Sequence, residues 1–550
     1  MAEGCAEVMP TAARPRSALL PAVLVALGGA AAAPALETPR PPARVWYVDN
    51  TSPEGGDGSL VAPFSSLERA ERASDVGDTV YVFLGDGTAR GLDEGIRLKP
   101  RQLLVGSGVA LAADGEEILP AGDPPLLTAP RGAVVELAEL SSVAGVAIAG
   151  GGGGAEAGIR ARGARAVSVR DVRIEGGSGL TVGLELQDVQ GAAVSGLAVA
   201  GARRHAVLVE RSGGVAIRDS RVDHGGEAGA AVALRDPAGH VELAVLDVHP
   251  AAGVGVGVDA RAGTGTVAME RVALRGPAAS GVAATGIEVL AAGTAALEVG
   301  ATRTVLSGLG SHGIVARAAG GARLGLRVAG TGSLGETHPT EAVAVHASER
   351  AEVRLEVLGN DLLAGELALF VTAAGEARVA AEVSDNAVPS IPRGRGVAVV
   401  LGDRAEASVR LLRNRLAGHR GEAVYALAGA ASRLALELRD NEVAAAPASS
   451  ADPLPALLLQ ARDEARLCLA LAGNRVGAGT GGGPPMALRQ AGAAVVALAG
   501  HEPALAGGPA TWLAASNELA PAGVILDGAL GSPAGLLCPS PTPEPPLAAR

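Results

Sequence analysis

Leu411-Leu-Arg-Asn414-Arg-Leu, followed by Leu436-Glu-Leu-Arg-Asp-Asn441-Glu-Val, ends a short apolar alternation on an asparagine and adds an apolar residue two places on. The phrase recurs in Leu355-Glu-Val-Leu-Gly-Asn360-Asp-Leu, Val383-Ser-Asp-Asn386-Ala-Val, Leu469-Ala-Leu-Ala-Gly-Asn474-Arg-Val and Ala515-Ser-Asn517-Glu-Leu. The intervals are 26, 28, 27, 33 and 43 residues, and apart from Asn50 these are all the asparagines in the chain. Self-similarity at a period of this size is the signature of a stacked-repeat architecture.

Upstream the same register runs through Val172-Arg-Ile, Leu197-Ala-Val, Ser220-Arg-Val, Leu246-Asp-Val, Val272-Ala-Leu, Arg303-Thr-Val and Gly332-Ser-Leu. A second apolar ladder keeps phase with it: Val207, Val232, Val258, Ile287, Ile314, Val343, Leu369, Val397, Val424 and Leu457, often preceded by Gly or Ala. Each repeat therefore holds at least two short strands of period two, separated by Gly-rich turns. One such unit cannot bury its apolar side alone, whereas units stacked in parallel bury a continuous core and pair their backbones. A helical solenoid is the main rival, but it needs stretches of about 10–15 residues of helical period, and Gly interrupts nearly every candidate. A propeller is disfavoured by the absence of recurring aromatics. About thirteen coils at about 4.8 Å each predict a rod roughly 60–70 Å long. The long interval from Asn474 to Asn517 predicts an extra coil or a looped-out insertion around Thr480–Pro485.

The expected fold is all-β: a single right-handed parallel β-helix with an N-terminal cap containing a short helix. Arg14 and Arg16 precede the apolar stretch 18–33, and Ala33-Pro-Ala35 offers small residues for cleavage, so residues 1–35 read as a signal peptide. A Pro-rich linker follows at 36–45, the cap and first strands at 46–105, the coils at 106–525 and a Pro-rich tail at 526–550. The expected location is outside the cytoplasm, secreted or in the cell envelope, with no membrane span after cleavage. Residues Cys468 and Cys538 could pair in an oxidising compartment but give no disulfide framework. No stretch has the alternating strands and aromatic girdles of an outer-membrane barrel. One lysine, Lys99, stands against 45 arginines, which with abundant Ala and Gly points to a GC-rich genome. The net charge of −12 and the lack of a basic run argue against a nucleic-acid partner.

The asparagine ladder resembles that of right-handed parallel β-helix proteins, the pectate-lyase-like superfamily, in which inward asparagines stack at a tight turn. There the residue is expected to tolerate left-handed backbone and to bond neighbouring backbone groups. The leading segment, Val45-Trp-Tyr-Val-Asp-Asn, Gly55-Gly-Asp-Gly-Ser, Ala62-Pro-Phe, Leu67-Glu-Arg-Ala and Val76-Gly-Asp-Thr-Val-Tyr-Val-Phe, resembles the start of secreted bacterial β-helix proteins. The resemblance implies a strand, a loop, a capping helix begun by Ser66 with Leu67 and Ala70 on one face, and the first coil strand.

Enzymes of that superfamily attack polysaccharides with carboxylates from adjacent coils, and its lyases hold Ca²⁺ on acidic residues. The candidate catalytic cluster is Asp219, Asp223 and His224, with Arg203, Arg204 and His205 about one coil earlier and His249 about one coil later. A solvated polar face is the competing and preferred reading. Ser311-His-Gly-Ile314 resembles in part the Gly-His-Gly of polygalacturonase-like hydrolases, without the first Gly or the paired aspartates. The acidic loop of Asp114, Glu116, Glu117 and Asp123 lacks the spacing of a Ca²⁺ loop, Gly55–Ser59 matches only part of one Ca²⁺ nonapeptide, and Gly150–Gly154 has no phosphate-loop Lys. No cofactor is expected, and Ca²⁺ only under a lyase reading. The favoured function is a non-catalytic elongated scaffold or binding surface, for a polysaccharide or another surface protein. The alternative is a polysaccharide lyase or glycoside hydrolase on an acidic polysaccharide.

Overall fold

The computed structural model describes residues 44–528, apart from 114–115, 153, 178, 225–228, 278–282, 334–338, 390, 392–393, 418, 445–452, 500–507 and 521–522. The expected signal peptide, most of the linker and tail, Asp114 and Cys538 lie outside the described residues.

From about residue 96 the chain winds as a parallel β-helix with three faces. Face 1 is a sheet of sixteen parallel strands, one per coil, exemplified by Arg395–Leu401. Face 2 follows after a tight turn, as in Glu406–Leu412, and face 3 after a second turn, as in Arg415–Leu416. Successive coils pair in register on every face, for instance Val397↔Val424, Val409↔Leu436 and Leu416↔Val443. Parallel crossovers take the right-handed sense. Alternation then does the sorting. Val397, Val399, Val409, Leu411 and Leu416 point inward and are buried, while Arg410 and Arg415 stay on the outside. Each fully buried Val or Leu contributes about 1.5–3 kcal/mol.

The strand pairing corrects the sequence register at three places. Val305 pairs with Ala273 and with Gly332, so Thr304 and Thr331, not Arg303 and Gly332, continue the asparagine row. On face 1 Val232 pairs with Val256, which displaces Val258 from the second ladder. The frequent Gly or Ala before that ladder also has a physical cause. A Cβ on Gly396 would lie 2.4 Å from the carbonyl oxygen of Ala423, and one on Gly286 2.5 Å from that of Gly313. Coils approach too closely there for a larger side chain.

The cap begins with Val45–Val48, which pairs with Thr79–Val82, and the helix Leu67–Ala73 buries Leu67 and Ala70 over the first coils. Ser66 occupies the N-cap without a side-chain bond to the helix. The clustered aromatics serve two sides. Trp46 stacks on Phe64 at 5.7 Å against the core, while Tyr47, Tyr81 and Phe83 form a separate cluster with Leu111 outside it. At the other end the long interval holds no extra coil. Thr480–Gly482 is a single short turn, and the helix Gly508–Ser516 fills the space before Asn517.

Candidate functional site

The six asparagines, each at most 7% exposed, stand at the start of face 3, five of them directly after the turn from face 2 and Asn517 directly after the helix Gly508–Ser516. The left-handed residue of that turn is the one before the asparagine: Asp385, Arg413 and Asp440 have φ of 59°, 54° and 55°. This corrects the expectation that the asparagines take that backbone themselves. Their side chains instead bridge coils. Asn386 Nδ2 donates to the Val357 carbonyl at 2.9 Å, and Asn414 Nδ2 to that of Val383 at 2.8 Å. The pattern runs from Asn360 Oδ1, which accepts the Thr331 amide at 2.7 Å, to Asn517. These residues hold backbone, not ligand.

The cluster expected around Asp219 is divided among three surroundings. Asp219 is exposed in the turn before Ser220, with φ of 49°, and it is the equivalent of Asp385 and Arg413. Arg203 is exposed and donates to Thr181 Oγ1 at 2.9 Å. His205 and His224 are buried at 4% and 5% exposure. His205 donates from Nδ1 to the Ala230 carbonyl at 2.8 Å and accepts from Arg235 at Nε2, 3.2 Å away. Burial pushes its imidazole down to about 4, and neighbouring Arg235 and Arg204 add to the effect. His224 donates from Nε2 to the Arg204 carbonyl at 2.9 Å.

Asp223 and His249 do meet, as register partners on the outer side of face 3. There Arg221 lies 3.0 Å from Asp223, while Asp247 is 3.1 Å from His249 and 3.3 Å from Arg275. Every carboxylate of this patch already has a cation, which leaves none placed as a free acid or base. Among the described residues no group of three or more His, Cys, Asp or Glu side chains could hold a metal ion.

A different surface concentrates chemistry: the outer side of face 1 between the coils of His312 and Tyr425. Phe370, Ala398 and Tyr425 are register partners in one outward row, so two half-buried rings flank a small residue on consecutive coils. His346 meets Phe370 edge-on at 5.6 Å, and Arg395 lies over the Tyr425 ring at 4.4 Å. Arg395 is held by Glu422 at 2.6 Å, and Arg317 by Glu288 at 2.6 Å. His346 Nδ1 contacts Thr372 Oγ1 at 2.9 Å, and burial lowers its proton affinity. The sequence carried the signal for this row. Phe370 and Tyr425 each stand one place after a member of the second ladder, Leu369 and Val424, and alternation turns that place outward.

No family model matches the chain, and no curated protein matches it. The solved structure of the Yersinia enterocolitica family 28 exopolygalacturonase is similar at 11% identity over 85% of this chain and 79% of that one, with a TM-score of 0.25. Similarity this loose says nothing about the chemistry of either surface.

Proposed function

We propose that this chain is an exported, elongated β-helix that binds an extended polysaccharide along the outer side of face 1 without cleaving it. The observation that carries this reading is the row of Phe370, Ala398 and Tyr425. Two rings separated by one small residue make an apolar platform for sugar rings, and the flanking Arg395, His346 and Thr372 supply hydrogen-bonding groups that would orient hydroxyls or carboxylates. The ion-paired carboxylates of faces 1 and 3 favour binding over hydrolysis, which needs two carboxylates placed across the glycosidic bond. An apolar stretch at 18–33 and a disulfide-bonded Cys468 fit an oxidising compartment outside the cytoplasm.

Titration calorimetry of the wild type and of a Phe370→Ala/Tyr425→Ala variant against neutral and uronate-bearing polysaccharides tests this. Loss of two stacking rings should weaken binding about tenfold or more. Equal binding by both proteins would remove the platform from face 1. Reproducible shortening of the polysaccharide by the wild type would replace binding with cleavage.

A further inference from the structure

We propose that Ser311, His312 and Glu341 form a nucleophilic site that hydrolyses a carboxylic ester, built across two neighbouring coils of face 1. Ser311 Oγ lies 2.7 Å from His312 Nδ1, and His312 Nε2 lies 3.1 Å from Glu341 Oε2. His312 and Glu341 are register partners, and the Glu341 amide donates to the Ser311 carbonyl at 3.3 Å, so the backbone of two coils fixes the arrangement.

The carboxylate is what makes the contact more than a local serine–histidine bond. Three other acids on this side of the rod are held by arginine from an adjacent coil: Glu185 by Arg160, Glu288 by Arg317 and Glu422 by Arg395, each at 2.6 Å. Glu341 faces a histidine from the adjacent coil instead, His312, at 3.1 Å. Its Oε2 is buried and makes no in-line hydrogen bond, so the contact to Nε2 is close but bent. The negative charge of a carboxylate 3.1 Å from Nε2 favours the tautomer with the proton on that nitrogen, which turns the lone pair of Nδ1 to the Ser311 hydroxyl. This is the division of roles that nucleophilic catalysis needs: a hydroxyl, a base within bonding distance and a third group that sets the base's tautomer. The imidazole is partly open, with 26% of its side chain exposed.

The chemistry balances with water as co-substrate. Ser311 Oγ bonds to the ester carbonyl carbon while its proton passes to His312 Nδ1, and the imidazolium is stabilised by Glu341. Collapse breaks the bond to the alcohol oxygen, which leaves with that proton. A water molecule then gives its proton to Nδ1 and its hydroxyl to the acyl carbon, releasing the acid and restoring Ser311. Glu341 touches neither substrate nor leaving group and is a positioning residue. The Phe370 coil lies two coils from His312, so an O-acyl group on a bound glycan is the substrate class that fits. That last step alone rests on the glycan-binding reading.

The test uses the full chain with p-nitrophenyl acetate and a fluorophosphonate probe, neither of which depends on a glycan. The probe should add its mass to the peptide containing Ser311, and ester hydrolysis should fall about 100-fold or more in Ser311→Ala. Glu341→Gln should slow labelling at least tenfold, with Glu341→Asp restoring most of it, a difference that a purely structural role would not produce. Thermal unfolding of each variant establishes that it is folded. A folded wild type left unlabelled at Ser311, or Ser311→Ala hydrolysing at the wild-type rate, overturns the proposal. Normal glycan binding in those variants separates this outcome from failure of the binding platform.

Discussion

Asn386 and Asn414 are joined twice, because Asn414 Oδ1 accepts both the backbone amide of Asn386 at 3.1 Å and its side-chain amide at 2.9 Å. Both groups are buried, and removal of the acceptor leaves the Asn386 backbone amide without a partner and its side-chain amide with one bond fewer. Asn414→Ala should therefore cost about 1–3 kcal/mol in denaturant unfolding. Hydrogen exchange should show the opening confined to about residues 386–441, since each coil touches mainly its neighbours. Protection lost equally in the N-terminal cap would contradict this.

Asp219 gives the opposite pattern. Its φ of 49° is a backbone conformation that aspartate tolerates better than alanine and that glycine adopts freely. Asp219→Ala should cost about 1 kcal/mol and Asp219→Gly little or nothing, whereas a catalytic aspartate would lose activity equally in both. Urea midpoints of the two variants give the comparison.

His205 predicts a loss of stability on acidification. Its imidazole is held at about 4 in the fold against 6.5 in the open chain, so the unfolded state takes up the proton first. Stability is complete above pH 6.5, declines as pH falls below it, and the loss levels off near 4. Unfolding measured between pH 7 and 4.5 should decline less in His205→Gln, by about 2 kcal/mol after allowing for partial screening. His346 and His419 are lowered by burial too, so a smaller dependence will remain in that variant. An unchanged pH dependence would mean His205 is reached by water.

Gly286 sets a limit on side-chain size. The Gly313 carbonyl stands 2.5 Å from where its Cβ would be, but alanine occupies the equivalent place in other coils, at Ala342 and Ala423. Gly286→Ala brings a Cβ against that carbonyl and should cost about 1–2 kcal/mol as the two coils part, while Gly286→Leu should cost about 3 kcal/mol or more. Similar melting of the two variants would show that the coils part more easily there than their contact implies.

The architecture was legible because the same places in successive coils carry the same residue types. Asn360 to Asn517 give the period, and the apolar ladder gives the second strand. The register is hidden where a coil substitutes another residue. Thr304 and Thr331 fill the asparagine row without a side-chain amide, so nothing in their chemistry sets them apart from their neighbours Arg303 and Gly332. The candidate site was less legible for a different reason. Sequence proximity groups Asp219 with Asp223 and His224, but a left-handed turn and a strand boundary send the three to separate surroundings. Ser311 and Glu341, 30 residues apart, meet only because the coils stack in register.

Besides a carbonyl of the coil before it, each asparagine finds an acceptor on the coil that follows it in the chain: Asn441 Oδ1 serves Asn414, Asn474 Oδ1 serves Asn441 and Asn517 Oδ1 serves Asn474. The stack is thus a one-way zipper. A chain emerging N-terminus first always exposes one unmet amide at its growing end, and only arrival of the next coil quiets it. Asn517 ends the series by donating to the Leu513 carbonyl, at the end of the helix Gly508–Ser516, at 3.0 Å. That helix gives Asn517 the acceptor that the next coil gives every other asparagine of the row.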